Sequence, residues 1–213
     1  MDYRHISAAL AKTKNKGYER NAQFAVLIPL ITINRSVHVI FEQRSFDLES
    51  QPGEICFPGG KMEVGEKPSE TALRETMEEL CLSSSQLKII GSLPPLTTPF
   101  HFVIYPFCGV IQHTEYDAIR FSRKEVNTIF PVPLSHLLAQ TPWEYTVQYD
   151  LNIEPDFPFH LIPNGKEYNW SGGHYQVLFY FHQEHVIWGL TAKMLHFFLE
   201  SLREMPLSSC QED

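Results

Sequence analysis

FPGGKMEVGEKPSETALRETMEEL, residues 57–80, carries the most specific pattern in this chain of 213 residues. Its last seven residues place three glutamates on five consecutive positions: Glu75, Glu78 and Glu79. At about 100° per residue on a helix, their carboxylates share one arc of roughly 100°. Like charges three or four residues apart destabilise a helix by about 0.2–0.5 kcal/mol per pair, so this arc is unfavourable unless a cation lies against it.

The rest of the segment predicts an amphipathic helix that follows a bend. Pro68 and Ser69 are typical of a helix start. Upstream, Gly59 and Gly60 allow the backbone to bend close to a ligand, and Glu66 adds a fourth carboxylate. A solvated face is the ordinary interpretation of such a charge run, but these upstream residues favour a ligand site. The expected packed face, opposite the glutamates, consists of four residues: Leu73, Thr76, Met77 and Leu80.

This pattern resembles the Nudix box, the signature of hydrolases that cleave a nucleoside diphosphate linked to another group. The matching residues are Gly60, then Glu66 after five residues, and then Arg74-Glu75-Thr76-Met77-Glu78-Glu79 after seven more. The family usually has a bulky aliphatic residue at Thr76, where we expect the change to affect packing rather than chemistry. It usually has a glycine at Cys81, a residue suited to a left-handed helix end, so we expect this helix to end differently.

A second resemblance indicates one subgroup of this family, the enzymes that hydrolyse the pyrophosphate of coenzyme A. Residues 43–60, QRSFDLESQPGEICFPGG, resemble the signature that precedes the box in that subgroup, and so does IWGLTAKML at 187–195. With LPPLTTPF (93–100) and FPVPLSHLL (130–138), the likeness covers most of residues 24–200. The matching positions in the first signature are Arg44, Ser45, Gly53, Phe57, Pro58, Gly59 and Gly60.

Composition and charge fit a single globular enzyme. The chain is 43% hydrophobic and 13% aromatic, as is typical of folded proteins. A formal net charge of -8 argues against nucleic acid or an anionic membrane as a partner. The sequence shows no apolar signal segment and no apolar run near the roughly 20 residues that span a bilayer, so we expect a cytoplasmic protein. The four cysteines form no C-x-x-C pair and suggest no zinc site.

We expect one Nudix domain over residues 1–213, with an N-terminal helix and linker at 1–20 and a C-terminal helix at 186–205. AQFAVLIPLITI (22–33) and SVHVIFEQR (36–44) indicate strands, as do LKIIGSLPPL and FVIYPFCGVI further on. The aromatic-rich residues 142–174 fit no clear element. The predicted class is α+β with a mixed sheet flanked by helices, and the resemblance implies a Nudix-like α/β/α sandwich.

The chemistry of a diphosphate predicts a metal site on the glutamate arc. Catalysis of phosphoryl transfer depends mostly on positioning and charge neutralisation, and Mg2+ or Mn2+ prefers carboxylate and carbonyl oxygens. We therefore expect Glu75, Glu79 and the Gly60 carbonyl to bind the metal, with Glu78 as a third ligand or a support. Glu66 supports the set, and Arg74 orients one of its glutamates. The general base stays open among Glu75, Glu66 and Glu125.

Other polar residues are weaker candidates. Arg44 and Lys61 are expected to meet phosphate oxygens, although either would also suit a surface ion pair. Gly59 is expected to let substrate approach the backbone. His101 is either a substrate contact or a structural histidine. The expected partner is a small nucleotide, and a homodimer is compatible with the sequence.

Three functions are compatible with these patterns. The first is a pyrophosphatase that acts on coenzyme A or its thioesters, giving adenosine 3',5'-bisphosphate and phosphopantetheine or its acyl form. The second is an ADP-ribose or nucleotide-sugar pyrophosphatase of the same family. The third is a catalytically silent Nudix fold that senses nucleotides, and the intact glutamate arc counts against it.

Overall fold

The computed structural model describes residues 4–7, 22–98, 102–170 and 172–204. The expected helix and linker at 1–20 therefore lie outside the described residues except for 4–7, which are helical, and His101 lies outside them as well. The helices are α1 (Pro68–Glu79), α2 (Leu134–Ala139) and α3 (Gly189–Arg203). The strands are β1 (Ala22–Ile33), β2 (Ser36–Arg44), β3 (Ile55–Cys56), β4 (Gly59–Lys61), β5 (Leu87–Ser92), β6 (Leu96–Thr97), β7 (Phe102–Ile111), β8 (Val126–Pro133), β9 (Trp143–Tyr149), β10 (Gly173–His182) and β11 (His185–Trp188).

The central sheet is mixed, as the sequence predicts. Its main path runs β3-β2-β1-β7-β5, with β4 also on β1, β6 on β7 and β8 on β2. Strands β1 and β7 are parallel over nine residue pairs, and the other pairs of this sheet are antiparallel. The predicted strands 22–33 and 36–44 are confirmed at both ends.

Helices cover both faces of this sheet, which explains the continuous apolar run of β1. Leu27 and Ile31 belong to the core under α1, whereas Ile28 and Leu30 belong to the core under α3. Alternate residues of a strand point to opposite faces, so a strand buried on both sides has no polar alternation. The predicted sandwich of a mixed sheet between helices is confirmed.

Residues 142–174, which fit no element in the sequence, contain β9 and two short 3-10 turns. β9 is the outer strand of a second antiparallel sheet with the order β11-β10-β9. All seven residues of β9 are exposed, so its pattern lacks the buried face that identifies a strand in a sequence. None of the helices within the described ranges is long and apolar enough to cross a membrane.

Helix α1 begins as its sequence indicates. Pro68 is its first residue, and the Glu70 carboxylate accepts a hydrogen bond from the Lys67 N–H at 3.0 Å. Thr76 lies on the packed face with no exposed surface, and its hydroxyl donates to the Ala72 carbonyl at 2.7 Å. Its place in the packing is therefore as predicted.

The end of α1 corrects one expectation. Cys81 was expected to end the helix differently from a glycine, yet it adopts φ of 50°, the left-handed conformation that glycine favours. The Leu82 N–H then donates to the Met77 carbonyl at 3.1 Å. Leu80 and Leu82, the chain neighbours of Cys81, are both buried, and their packing holds Cys81 in this conformation.

Candidate active site

Two of the glutamates of α1 line a cavity of about 970 Å³ between the central sheet and the start of α3. Glu75 and Glu79 line one part of it, next to Gly59 and Gly60 of β4. Apolar side chains line another part, among them Leu96, Leu190 and Met194. The cavity therefore combines an acidic end with an apolar wall.

Glu79 is almost fully buried, with 5% of its surface exposed. Its Oε2 accepts a hydrogen bond from the Gly59 N–H at 2.9 Å. Burial, together with the nearby Glu42 carboxylate, raises the pKa of Glu79 to about 9. The expected division of α1 into an acidic face and a packed face is therefore wrong for Glu79, because β4 packs over that side of the helix.

Glu75 lies directly against Gly60. A Cβ built on Gly60 would collide with the Glu75 carboxylate, so a glycine is required for this close approach. Burial raises the pKa of Glu75, while a 2.7 Å hydrogen bond from Arg74 Nη1 opposes that shift. The bend at Gly59 and Gly60 thus brings the backbone onto two carboxylates of α1.

Arg74 joins three of the predicted carboxylates. Its guanidinium donates to both oxygens of Glu66, from Nε at 2.9 Å and from Nη2 at 3.1 Å. Its Nη1 lies 2.7 Å from Glu75 and 3.5 Å from the more exposed Glu78. Hydrogen bonds from Arg74 and from the Thr71 hydroxyl lower the pKa of Glu66 to about 2. Glu66 is thus a fixed anion that positions Arg74.

Glu42 of β2 is an acidic neighbour that the sequence patterns did not single out. Only 1% of its surface is exposed, and its Oε1 accepts a hydrogen bond from the Cys56 thiol at 3.2 Å. Its Oε2 is buried without a hydrogen-bond partner. Burial raises the pKa of Glu42 to about 7. The available signal was strand alternation, since Glu42 lies two residues after Ile40 and shares its face, which packs under α1.

Four other charged side chains line the cavity: Arg44, Glu54, Glu125 and Lys193. Arg44 donates from Nε and Nη2 to the Ser50 carbonyl at 3.3 and 3.2 Å. Glu125 is held nearby because the Ser45 N–H donates to its carbonyl at 2.7 Å. Lys193 of α3 also lines the cavity, although no sequence pattern singled it out. The predicted Lys61 has an exposed side chain and is not among the lining residues in the described chain.

These residues fit a divalent cation chemically. Glu75 and Glu79 supply the oxygen donors that Mg2+ and Mn2+ prefer, in a region where burial raises the pKa of both carboxyls. The Oε2 of Glu42, buried without a hydrogen-bond partner, adds a further buried carboxyl oxygen near Glu79. Among the described residues, no three His, Cys, Asp or Glu side chains stand in an arrangement that could hold a metal as they are.

Comparisons with known proteins agree with this geometry. A family model described as NUDIX domain matches residues 23–151. Nudix hydrolase 3 of Caenorhabditis elegans is 29% identical over 84% of this chain and 72% of its own length. The mitochondrial coenzyme A diphosphatase NUDT8 of Homo sapiens is 30% identical over 86% of this chain and 70% of its own length.

One solved structure matches nearly the whole chain. It is the crystal structure of a MutT/nudix family protein from Enterococcus faecalis, with a TM-score of 0.50. The match covers 96% of this chain and 71% of that chain at 12% sequence identity. At such low identity the likeness shows the fold alone.

Proposed function

The chain belongs to the Nudix hydrolase family, and from that membership we propose that it hydrolyses the diphosphate of coenzyme A or its thioesters. The products would be adenosine 3',5'-bisphosphate and phosphopantetheine or its acyl form. Nudix hydrolases are pyrophosphohydrolases that act on small nucleotides and generally use divalent metals such as Mg2+ or Mn2+. The choice of coenzyme A rests on the relatives named coenzyme A diphosphatases.

The observation that carries the proposal is the shape and charge of the cavity. Glu75 and Glu79 line the same space as apolar residues of β6 and α3. Arg44 and Lys193 line it as well and would offset the charge of an anionic nucleotide. Coenzyme A has a charged nucleotide and a neutral pantetheine arm, so it matches a cavity with both kinds of wall.

Within this site, we assign Glu75 and Glu79 as the metal ligands, supported by Glu78 and by the Gly60 carbonyl. When bound, a divalent cation neutralises diphosphate oxygens and lowers the pKa of the attacking water. The Gly59 N–H fixes the orientation of the Glu79 carboxylate.

The position of Arg74 bears on the general base. Arg74 donates hydrogen bonds to Glu75 and to both carboxylate oxygens of Glu66. These bonds orient the Glu75 carboxylate and occupy both oxygens of Glu66. With a pKa of about 2, Glu66 is a poor proton acceptor. Glu75 and Glu125, which both line the cavity, are therefore the better candidates for general base.

The proposed substrate is tested by incubating the protein and Mg2+ with coenzyme A, acetyl-coenzyme A, ADP-ribose or NADH at equal concentration. Products are identified by mass. We expect adenosine 3',5'-bisphosphate from the first two, formed faster than AMP from ADP-ribose. A clear preference for ADP-ribose would contradict the coenzyme A assignment while leaving the family intact.

The metal requirement has its own test on the same reaction. Excess EDTA is expected to abolish hydrolysis, and added Mg2+ or Mn2+ in excess of the chelator should restore it. Full turnover in EDTA would exclude the proposed metal-dependent mechanism.

A further inference from the structure

A second, more open cavity of about 540 Å³ lies beside the active-site cavity. It is formed between the loop that joins β2 to β3 and the β10–β11 hairpin. Glu54 and Trp188 line both cavities, so the two spaces meet at these residues. The second space, which we call the aromatic groove, therefore adjoins the active-site cavity. Its apolar residues are Pro52, Ile55, Phe179, Val186 and Trp188.

The wall of the aromatic groove exposes apolar side chains to solvent. The rings of Phe179 and Trp188 stack with centroids 6.1 Å apart and planes 15° from parallel. Trp188 is 43% exposed and Val186 is 41% exposed. Register explains this surface, because Phe179 pairs directly with Trp188 and both side chains emerge on the same face of the sheet. Contiguous exposed aromatic surface of this kind is typical of a binding site.

Charge decides which part of a substrate this groove accepts. Its charged lining residues are the carboxylates Glu54 and Glu184, and within the part of the chain that the structure describes it has no lysine or arginine. The cations Arg44 and Lys193 line the active-site cavity instead. A phosphate would be repelled in the groove and attracted in the active site. The occupant of the groove is therefore the uncharged end of the substrate.

We propose that the aromatic groove binds the acyl chain of a coenzyme A thioester, and that Trp188 and Val186 determine a preference for longer acyl groups. This inference rests on the proposed function, because the neutral end of such a thioester is its acyl chain. Burial of one methylene changes affinity by about fourfold. Partial burial of six extra methylenes, the difference between octanoyl and acetyl chains, would raise kcat/KM by at least about tenfold.

The test measures kcat/KM for coenzyme A, acetyl-coenzyme A and octanoyl-coenzyme A with Mg2+, in wild type and three variants. Trp188→Ala and Val186→Ser remove groove surface, and Val186→Ser is the milder change to folding. Trp170→Ala is the matched control, because Trp170 is 38% exposed, close to the 43% of Trp188, and lines neither cavity. We expect the octanoyl-to-acetyl ratio to exceed about tenfold in wild type and Trp170→Ala. In Trp188→Ala and Val186→Ser the ratio should fall by at least threefold.

The outcomes separate this inference from the proposed function. Hydrolysis of coenzyme A without any gain for octanoyl-coenzyme A would overturn the acyl groove and leave the proposed function standing. A gain that persists unchanged in both groove variants would overturn the assignment of these residues. If none of the three compounds, coenzyme A and its two thioesters, is hydrolysed, both the acyl groove and the proposed function are overturned.

Discussion

At the scale of single residues, the main feature is a group of carboxylates whose burial differs sharply. Glu78 and Glu79 are neighbours in the chain, yet the Glu78 side chain is 58% exposed while Glu79 is 5% exposed. One residue step turns a helix by about 100°, enough to move a side chain from solvent to the β4 backbone. We expect Glu79 to favour activity but to lower the stability of the metal-free protein, because its buried carboxylate is compensated only when a cation is bound.

We predict that Glu79→Gln loses activity but gains stability in EDTA. The glutamine oxygen can still accept the Gly59 N–H, and the variant no longer has to protonate on folding a carboxylate that is ionised in the unfolded chain. Activity should fall by more than the roughly 10–100-fold typical of residues that support a metal ligand. The melting temperature in EDTA should rise by at least about 1–2 °C, since 1 kcal/mol shifts it by roughly 2–4 °C at this size.

Paired thermal melts of the wild type and Glu79→Gln, in EDTA and in Mg2+, check this prediction. Mg2+ should reverse the order, because a ligand stabilises the protein that binds it more tightly. Glu78→Gln is the control, and its exposed charge should change the melting temperature in EDTA by less than about 1 °C. A Glu79→Gln protein that melts well below wild type in EDTA would show that this glutamate is structural.

Gly60 is expected to be needed for geometry rather than for folding. In Gly60→Ala the new methyl group collides with the Glu75 carboxylate, which must move. A misplacement of about 1 Å in an active site costs on the order of 100-fold in rate, so we expect a loss of that order. Gly91→Ala is the matched control, because a Cβ there meets nothing within 4 Å. Rates and melting temperatures of both variants are to be compared, and near wild-type activity in Gly60→Ala would contradict the close approach.

At the scale of elements, α1 connects the core to the site. The helix contacts β1 of the central sheet and buries Ala72 and Thr76, while Glu75 and Glu79 reach β4. The helix must end abruptly so that Leu80 and Leu82 can both enter the core. Cys81 makes this possible at the expense of a left-handed backbone, which is unfavourable for a residue with a Cβ.

We therefore predict that Cys81→Gly stabilises the protein. Removing the Cβ relieves roughly 1 kcal/mol, which corresponds to a rise of about 2–4 °C in melting temperature. Cys81→Ala keeps the Cβ and should give no such rise. Chemical denaturation of the three proteins measures the difference, and equal stabilities for Gly and Ala variants would contradict the role of the backbone conformation.

At the scale of the whole molecule, buried carboxylates link stability to pH and to metal. Glu42 and Glu79 have pKa values of about 7 and about 9 in the folded protein, above the ordinary value of 4.5. Between pH 4.5 and about 9, the folded state therefore binds more protons than the unfolded chain. The stability associated with this difference is fully present below pH 4.5 and is lost as the pH rises through about 7 and about 9.

We predict that the melting temperature in EDTA falls by several degrees between pH 6 and pH 9. One pKa unit corresponds to about 1.4 kcal/mol, and 1 kcal/mol to roughly 2–4 °C. Glu42→Gln should show a shallower fall, because one of the two groups no longer titrates. The exposed Glu49, changed to Gln, serves as the control and should follow wild type. A wild-type melting temperature that stays constant or rises over this interval would contradict the raised pKa values of Glu42 and Glu79.

The sequence by itself determined the family, the helix that carries the glutamates and the strands β1 and β2. These features depend on local spacing: 3.6 residues per helical turn, the alternation of strands, and the fixed intervals from Gly60 to Glu66 and Arg74. The arrangement of a mixed sheet between helical layers then followed from the family resemblance.

Only the tertiary structure decided which carboxylates are buried and what surrounds them. Glu42 lies 37 positions before Glu79 in the chain, and β2, β4 and α1 must pack before the two charges influence each other. The left-handed Cys81 and the exposed strand β9 are likewise set by neighbours, Leu80 and Leu82 in one case and β10 in the other. Burial and charge coupling depend on distance through space, and a single sequence states only distance along the chain.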